Sequence, residues 1–283
     1  MTAAVDRLTK PLKVVKKIRE TSDSCSIVLE IPREHAMDFV YRPGQFVTLF
    51  LNINGEALRR SYSLCTSPFH DTDFRITVKK VPGGRGSTFL VDELREGEVL
   101  NVTPPSGHFF SPPKELKGQH YVLFAAGSGI TPVFSILKSM LKVHEHNQVT
   151  LVYCNRDEAS IIYRAELNHW MSLYPGRLKV HHVLSSLGGR LDLEKMSKLW
   201  VEIEAQSKLN KEFYLCGPVP FMTLIQDFAQ RQNVAKDRIH IESFGEIMGT
   251  PAHVVTAAEV SAGSGASASA GSAAAEENIP GRV

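Results

Sequence analysis

The sequence has few cysteines and no long apolar run. Its 283 residues include four cysteines, Cys25, Cys65, Cys154 and Cys216, and none lies in a C-x-x-C pair or another metal-ligand spacing. A disulfide framework and a zinc site are therefore not indicated, and we expect free thiols. No stretch approaches the roughly 20 apolar residues of a membrane-spanning helix, and the N-terminus lacks a signal-peptide apolar region. These absences predict a cytoplasmic protein without membrane insertion.

An excess of charge of one sign is also lacking. The 32 lysines and arginines are nearly balanced by 30 aspartates and glutamates, which leaves a formal net charge of +2. The bulk charge therefore gives no indication of nucleic-acid binding. The chain is long enough for two domains, at roughly 100 to 200 residues per domain.

The first part of the chain has the pattern of an antiparallel β-barrel domain, predicted over 8–112. Short strand-like segments alternate with turns such as Pro43-Gly44 and Asn54-Gly55, a pattern typical of barrels and sandwiches. One short helix is predicted at 87–94. The predicted strands are 14–19, 26–31, 46–53, 60–64, 74–80 and 98–103.

In the second part, predicted over 115–247, strands alternate with helices. This alternation indicates βαβ units and a Rossmann-like parallel sheet. Parallel sheets bind ligands at the carboxyl ends of their strands, where Gly127, Asn155 and Gly217 fall. The predicted strands are 121–126, 148–154, 178–184, 213–215 and 239–242, with helices from Thr131, Tyr163 and Pro218 and near Leu193.

The last part, 250–283, is rich in alanine, serine and glycine. Such a composition buries too little apolar surface to offset chain entropy, which predicts a disordered linker or tail. Two interpretations remain open, namely a linker to a downstream domain and a tail without a partner.

The most informative motif is Gly127-Ser128-Gly129-Ile130-Thr131-Pro132, between an apolar strand and an apolar helix. Glycine lets backbone N–H groups approach a phosphate closely, and a helix N-terminus carries partial positive charge. The motif lacks the third glycine of the usual dinucleotide fingerprint, so a tight connection without a ligand is the alternative.

Two barrel segments are suited to a second phosphate ligand. On the strand Arg60-Ser61-Tyr62-Ser63, the arginine and the tyrosine share one face. The guanidinium suits a pyrophosphate, the ring can stack on a flat heteroaromatic system, and Ser63 can hydrogen-bond a ring nitrogen. The turn Gly83-Gly84-Arg85-Gly86-Ser87-Thr88 can hold a diphosphate or simply cap its helix. A surface arginine beside a half-buried tyrosine is the alternative for the strand.

Further candidates lie at later strand ends. Cys216 has no histidine base adjacent in sequence, so we expect it to pack against a ligand and not to act covalently. Glu242 and Phe244 share one face at the end of the last strand. Arg156 either meets a ribose 2′-phosphate or pairs with Asp157 or Glu158, and both interpretations remain open.

Taken together and in this order, R-x-Y-S, the barrel glycine turn, G-S-G-I-T-P and C-G-P resemble the ferredoxin-NADP reductase superfamily over about residues 8–247. The resemblance implies an FAD-binding barrel and an NAD(P)-binding domain, with Ser63, Cys216, Glu242 and Phe244 as catalytic residues. Tyr62 and Phe244 are implied to cover the two sides of the flavin. The implied FAD residues are Arg60, Tyr62, Ser63, Thr77, Lys79, Gly84, Gly86, Ser87 and Thr88. The implied nicotinamide-nucleotide residues are Gly127, Ser128, Gly129, Thr131, Pro132, Asn155, Arg156, Cys216, Gly217 and Pro218.

Residues 154–157, 217–222 and 239–242 are similar to reductase components of bacterial oxygenases, of the 3-ketosteroid 9α-hydroxylase and phenylacetyl-CoA epoxidase type. Those proteins carry a C-terminal [2Fe-2S] domain whose C-x4-C-x2-C spacing is missing here. The resemblance therefore implies transfer from NADH or NADPH through FAD to a ferredoxin or [2Fe-2S] domain outside this chain, and on to an oxygenase. The alternatives are an FAD-holding subunit without catalysis and a stand-alone flavin or diaphorase-type reductase.

Overall fold

A computed structural model describes residues 8–111 and 118–244 of the chain. The Ala/Ser/Gly-rich segment predicted at 250–283 lies outside these residues. The same holds for the predicted domain ends at 112, 115–117 and 245–247. The interpretation of that segment as a linker or a tail therefore stays a prediction.

The first sheet is antiparallel and has six strands, in the order β4-β3-β6-β1-β2-β5. The two edge strands, β4 and β5, meet and close the sheet into a barrel. Just after β4, Leu64 forms a bridge with Ile76 of β5, and the Cys65 amide donates to the Arg75 carbonyl at 3.0 Å. The predicted antiparallel barrel is thus confirmed. The strands are β1 (Lys10–Thr21), β2 (Ser24–Glu30), β3 (Phe46–Ile53), β4 (Glu56–Ser63), β5 (Phe74–Lys79) and β6 (Val99–Val102).

Alternating side chains fill the barrel. Val47, Leu49 and Leu51 of β3 point inward and are at most 5% exposed, as expected for a strand with one buried face. A short helix, α1 (Arg85–Thr88), continues into a wider turn at Phe89–Glu93. The buried Leu90 and Val91 of that turn join the barrel core. A 3-10 segment, Arg33–Phe39, precedes β3.

The second sheet is parallel and has five strands, in the order β11-β10-β7-β8-β9. The strand order reverses between β7 and β10, and such a switch point is where open parallel sheets bind ligands. The strands are β7 (His120–Ala126), β8 (Gln148–Asn155), β9 (Leu178–Leu184), β10 (Lys211–Cys216) and β11 (Ile239–Glu242). The helices are α2 (Ile130–Val143), α3 (Arg164–Leu173), α4 (Ser185–Gly188), α5 (Leu193–Gln206) and α6 (Val219–Arg231).

Some element bounds differ from those that the sequence predicts. Strand β1 begins four residues earlier than expected, because residues 10–13 pair with β6. Its register shifts twice, between Val14 and Lys16 and between Arg19 and Thr21, and these irregularities blur the alternation of apolar residues. Helix α1 begins two residues before Ser87. The single turn α4 and the 3-10 segment before β3 were not predicted.

Helix α2 joins the two sheets. All its residues from Ile130 to Leu141 are buried, because one side covers the parallel sheet and the other meets the barrel. Across this boundary the Arg75 guanidinium donates to both carboxylate oxygens of Glu166, at 2.8 and 3.0 Å. The Tyr163 ring stacks on Phe134 at 4.7 Å, and its hydroxyl donates to Thr77. The two sheets are therefore held in a fixed relation by polar and apolar contacts.

None of the helices in the described part of the chain is long and apolar enough to cross a membrane.

Candidate functional site

On the barrel, Arg60 lies against the glycine turn that opens α1. A Cβ added to Gly86 would lie 3.3 Å from Arg60 Cγ and 3.9 Å from its Nε, so a larger residue here would press on the arginine side chain. The guanidinium donates to the Arg59 carbonyl at 2.7 Å and has no carboxylate partner within the described residues. An arginine without a counter-charge beside a helix N-terminus is suited to an anionic diphosphate.

The turn itself is held by its own residues. The Ser87 hydroxyl donates to the Gly84 carbonyl at 3.1 Å and accepts from the Val81 amide at 3.1 Å. A Cβ at Gly84 would lie only 2.7 Å from that hydroxyl oxygen. The amide of Thr88 donates to the Gly84 carbonyl at 3.0 Å. Ser87 therefore shapes the turn, and the backbone of the turn is left to meet a ligand.

Tyr62 and Ser63 lie at the end of β4 beside this turn. Tyr62 is half-buried, and burial raises the pKa of its hydroxyl to about 12, with Arg60 acting in the opposite direction. The ring is therefore neutral and can stack on an aromatic ligand. Ser63 is 4% exposed, and its hydroxyl makes no hydrogen bond within the described residues. It is thus available to a ligand.

Two other residues of the predicted FAD set have protein partners. The Thr77 hydroxyl is buried and shares a hydrogen bond of 2.7 Å with Ser26, besides accepting from Tyr163. The Lys79 ammonium lies 3.7 Å from an Asp23 carboxylate oxygen. The structure brings Gly86 against Arg60, with Tyr62 and Ser63 following on the same strand, but engages Thr77 in the boundary between the two sheets.

At the parallel sheet, two glycine turns meet at the switch point. Gly127–Gly129 form a 3-10 turn that leads directly into α2, and Gly127 has a φ of 53°. A Cβ at Gly129 would lie 2.2 Å from the Cys216 carbonyl oxygen, and one at Gly217 would lie 2.9 Å from Ala126 Cβ. Backbone atoms of the two turns are thus in direct contact, which only glycine permits.

The first turn of α2 is fixed by Thr131, whose hydroxyl donates to the Ser128 carbonyl at 3.0 Å. Pro132 follows as a buried residue of the same turn. On the neighbouring strand, the Tyr153 hydroxyl donates to the Gly127 carbonyl at 3.1 Å. These two bonds hold the glycine turn in one conformation.

Asn155 ends β8 at the same edge of the sheet. It is 8% exposed and lies beside the Tyr153 hydroxyl, and its amide nitrogen and oxygen make no well-formed hydrogen bond within the described residues. Leaving a buried amide without partners costs free energy, so such groups are usually satisfied by a ligand or water. Asn155 is therefore an acceptor and donor suited to a bound nucleotide.

Arg156 follows and is exposed. Its Nε donates to an Asp157 carboxylate oxygen at 2.9 Å, and the other oxygen of that carboxylate accepts from the Ser160 amide at 2.9 Å. The structure thus shows the ion pair, which was one of the two interpretations. Exposed ion pairs contribute little to stability, so Arg156 remains able to turn towards a phosphate.

Cys216 and Glu242 end the neighbouring strands β10 and β11, where they are paired in register. The thiol is fully buried, and burial raises its pKa, with Glu242 adding to the effect. Burial likewise raises the pKa of the Glu242 carboxyl. A neutral thiol here favours packing over nucleophilic attack.

Two further predicted residues lie nearby in the chain. Pro218 occupies the N-cap position of α6, and Phe244, the last residue that the structure describes, is 45% exposed.

Comparison with known proteins agrees with this geometry. Residues 11–110 match the family model of the oxidoreductase FAD-binding domain, and residues 123–227 match that of the oxidoreductase NAD-binding domain. The chain is 40% identical over 241 residues to the ferredoxin reductase component of 3-ketosteroid-9-alpha-monooxygenase from Rhodococcus rhodochrous, over 85% of this chain and 66% of that protein. It is 33% identical over 240 residues to a component of 1,2-phenylacetyl-CoA epoxidase from Escherichia coli K12, over 82% and 67%.

The chain belongs to the ferredoxin reductase family. It spans about two thirds of the length of these curated relatives. Among solved structures, it is similar to phthalate dioxygenase reductase, a modular structure for electron transfer from pyridine nucleotides to [2Fe-2S], with a TM-score of 0.67 and 28% identity over 85% of this chain and 70% of that one.

The residues present fit the two cofactors of a ferredoxin reductase. On the barrel, Gly86 leaves a space that a Cβ would fill, beside the guanidinium of Arg60. On the parallel sheet, the buried Asn155 amide makes no well-formed hydrogen bond within the described residues and lies beside the glycine turn. The first site suits the diphosphate of FAD, and the second suits a nicotinamide dinucleotide.

A set of side chains that connects the two halves of this ferredoxin reductase was not apparent from the sequence pattern. Lys138 of α2 is 0% exposed, and its ammonium pairs with the Asp71 carboxylate of the barrel. Arg75 and Glu166 form the second such pair. A lysine within an otherwise apolar stretch of helix was a visible signal, but its partner 67 residues away could not be identified from the pattern.

Proposed function

We propose that this chain oxidises NADH or NADPH at FAD and delivers the electrons to a ferredoxin or [2Fe-2S] domain that serves an oxygenase component. The single observation that supports the proposal is the match of two adjoining halves of the chain to an FAD-binding and an NAD-binding domain, on two sheets joined by buried contacts. A single dinucleotide site would favour a dehydrogenase that acts on a small molecule. Two such sites on sheets that pack together favour an electron relay.

In this proposal Arg60 and the backbone around Gly86 hold the FAD diphosphate, while the Tyr62 ring stacks on the flavin and Ser63 bonds to its edge. The Gly127–Gly129 turn and Asn155 hold the nicotinamide dinucleotide. When bound, FAD accepts a hydride from the nicotinamide and releases the electrons one at a time. The protein residues supply position and electrostatics.

Two groups at the ends of β10 and β11 have raised pKa values. The Cys216 thiol is neutral and fully buried in the apolar core, so its role is to position the end of β10 beside the nicotinamide nucleotide. The raised pKa of Glu242 makes its carboxyl a proton donor at higher pH than an exposed carboxylate. Phe244, exposed at the chain's described end, is suited to cover the flavin until the nicotinamide arrives.

The proposal is tested by electron delivery. The purified chain loaded with FAD is mixed anaerobically with NADH or NADPH and an oxidised plant-type [2Fe-2S] ferredoxin. We expect ferredoxin reduction that requires both the chain and a nicotinamide nucleotide. The proposal would be contradicted if the chain does not bind FAD, or if ferredoxin is reduced neither with NADH nor with NADPH.

We also propose a cytoplasmic location. The four cysteines are free thiols, three of them buried, and this cysteine usage is typical of a reducing compartment. Fractionation of cells that express the protein with a tag tests this. Recovery in an extracytoplasmic fraction would contradict it.

A further inference from the structure

Three side-chain contacts connect helix α2 to the loop 66–71, which follows strand β4 of the barrel. The Ser135 hydroxyl donates to the Thr66 carbonyl at 2.6 Å, and the Ser139 hydroxyl donates to the Ser67 hydroxyl at 2.8 Å. Between them, the Lys138 ammonium pairs with the Asp71 carboxylate. We use the name clasp for these three contacts.

The ion pair at the centre of the clasp is deeply buried. The side chain of Lys138 is 1% exposed and that of Asp71 is 14% exposed. The ammonium also lies 4.6 Å from the centre of the Phe134 ring, and an Asp71 oxygen accepts from the Ser67 amide at 2.6 Å. Because burying charges is costly, an apolar pair would stabilise the boundary at least as well. The charges instead give the contact a direction and a fixed geometry.

The clasp connects two segments that each lead back along the chain to one of the proposed cofactor sites. From Lys138, helix α2 runs back to the glycine turn over eight residues, about 12 Å at 1.5 Å per residue. From Asp71, the loop runs back to Ser63 and Tyr62 at the end of β4. The loop is itself anchored, because Leu64 and Cys65 bond to β5. A displacement at Lys138 would therefore move the glycine turn relative to the flavin face.

We propose that Lys138 is a positioning residue whose pairing with Asp71 sets the placement of the nicotinamide nucleotide relative to the flavin. The inference rests on the proposed function. Hydride transfer is sensitive to placement, since a misplacement of about 1 Å can lower a rate by about 100-fold. Loss of the pair is thus expected to slow transfer without removing either binding site.

The test compares Lys138→Met with Lys142→Met, which removes a charge from an exposed position one turn further along the same helix. Flavin reduction is followed after anaerobic mixing over a range of NADH and NADPH concentrations. For K138M we expect a rate at saturating nucleotide that is lowered at least tenfold, with a change in nucleotide Kd below about twofold. K142M should behave as the unchanged protein. A K138M rate within twofold of that of the unchanged protein would overturn the proposal.

Asp71→Asn is a second variant that removes the ion pair, for use if K138M does not fold. An asparagine oxygen can still accept from the Ser67 amide, so the loop keeps this hydrogen bond. D71N should lower the saturating rate like K138M. Glu166→Gln breaks the other ion pair at the boundary, away from α2. An equal slowing in E166Q and D71N would indicate a general loosening of the boundary and would overturn a specific role for the clasp.

Two readouts separate this inference from the proposed function. Reduction by dithionite should be unchanged in every variant that holds FAD, which shows that the flavin site is intact. Hydrogen exchange of the backbone in the loop 66–71, measured without nucleotide, should be faster in K138M than in K142M. If the unchanged protein is not reduced by either nucleotide, the proposed function fails. Unaltered exchange in K138M would independently overturn the clasp.

Discussion

Gly86 lies against the side chain of Arg60, the arginine that we propose to hold the FAD diphosphate. A Cβ at this position would approach Arg60 Cγ to 3.3 Å, closer than ordinary van der Waals contact. The arginine would have to shift, and its guanidinium would move with it. We expect this shift to lower the affinity for FAD and to leave the fold of the barrel unchanged.

For Gly86→Ala we expect FAD affinity to fall about tenfold. The reason is that a hydrogen bond to a charged group contributes roughly 1.5 to 3 kcal/mol, and about 1.4 kcal/mol corresponds to a factor of ten. Fluorescence titration of the apoprotein with FAD measures the change. Gly188→Ala is the control, because a Cβ there meets no atom within 4 Å. Equal FAD affinity in G86A and the unchanged protein would contradict the assignment.

Arg156 bears on the choice between NADH and NADPH. It is exposed and paired with Asp157, so its guanidinium can exchange that partner for a ribose 2′-phosphate at little cost. If it does so, Arg156→Gln weakens NADPH binding selectively and leaves NADH binding unchanged. Nucleotide titrations of the FAD-loaded protein provide the measurement. Equal effects on the two nucleotides would exclude this role.

At the scale of elements, the contact between the turns after β7 and β10 builds the switch point. The carbonyl that a Cβ at Gly129 would meet belongs to the backbone of Cys216, so no side-chain rotation relieves the collision. For Gly129→Ala we expect the two turns to separate. Nicotinamide-nucleotide affinity should then fall at least tenfold, while FAD remains bound because the barrel has its own core.

Equilibrium binding of NADH and NADPH, together with the FAD content of the purified protein, tests this expectation. Gly188→Ala is again the control, because a Cβ there meets no atom within 4 Å and Gly188 belongs to neither turn. Unchanged nucleotide affinity in G129A would show that the two turns do not form the site.

The sequence predicted the elements better than their contacts. Strands such as β3 were evident because apolar and polar residues alternate along them, and the glycine turn after β7 was evident because it separates two apolar stretches. The start of β1 was missed because residues 10–13 contain a proline and two lysines around a single leucine, which hides the strand pattern. The pairing of Lys138 with Asp71 was missed because only the packed fold brings these residues together.

The candidate site shows the same limit. Arg60, Tyr62 and Gly86 could be grouped because their residue types suit one ligand chemistry. The placement of Thr77 could not be foreseen, since its hydroxyl accepts from Tyr163, which precedes helix α3 in the other half of the chain. For Arg156 the sequence left two interpretations, and the structure adds the geometry of the ion pair.

At the scale of the whole molecule, stability should depend on pH through His120. This residue is 0% exposed, its Nε2 lies 2.8 Å from the Thr150 hydroxyl, and burial lowers its pKa to about 4, with a smaller effect of Lys211. Between about pH 6.5 and pH 4 the unfolded chain binds a proton that the folded chain does not. The free energy of unfolding should therefore fall by about 3 kcal/mol as the pH is lowered through this window.

Denaturant unfolding of the unchanged protein and of His120→Gln at a series of pH values measures this contribution. The curve of H120Q should be flatter between about pH 6.5 and pH 4, since glutamine does not titrate. Parallel curves for the two proteins would show that His120 does not carry the dependence.

The central claim is that two cofactor sites in one chain exchange electrons. Its most direct test is anaerobic stopped-flow mixing of the FAD-loaded chain with NADH and, separately, with NADPH. The flavin absorbance at about 450 nm is followed over time. The account predicts rapid bleaching with at least one of the two nucleotides. A flavin that dithionite bleaches but that keeps its oxidised spectrum with both nucleotides would contradict the account and would indicate an FAD-holding subunit without catalysis.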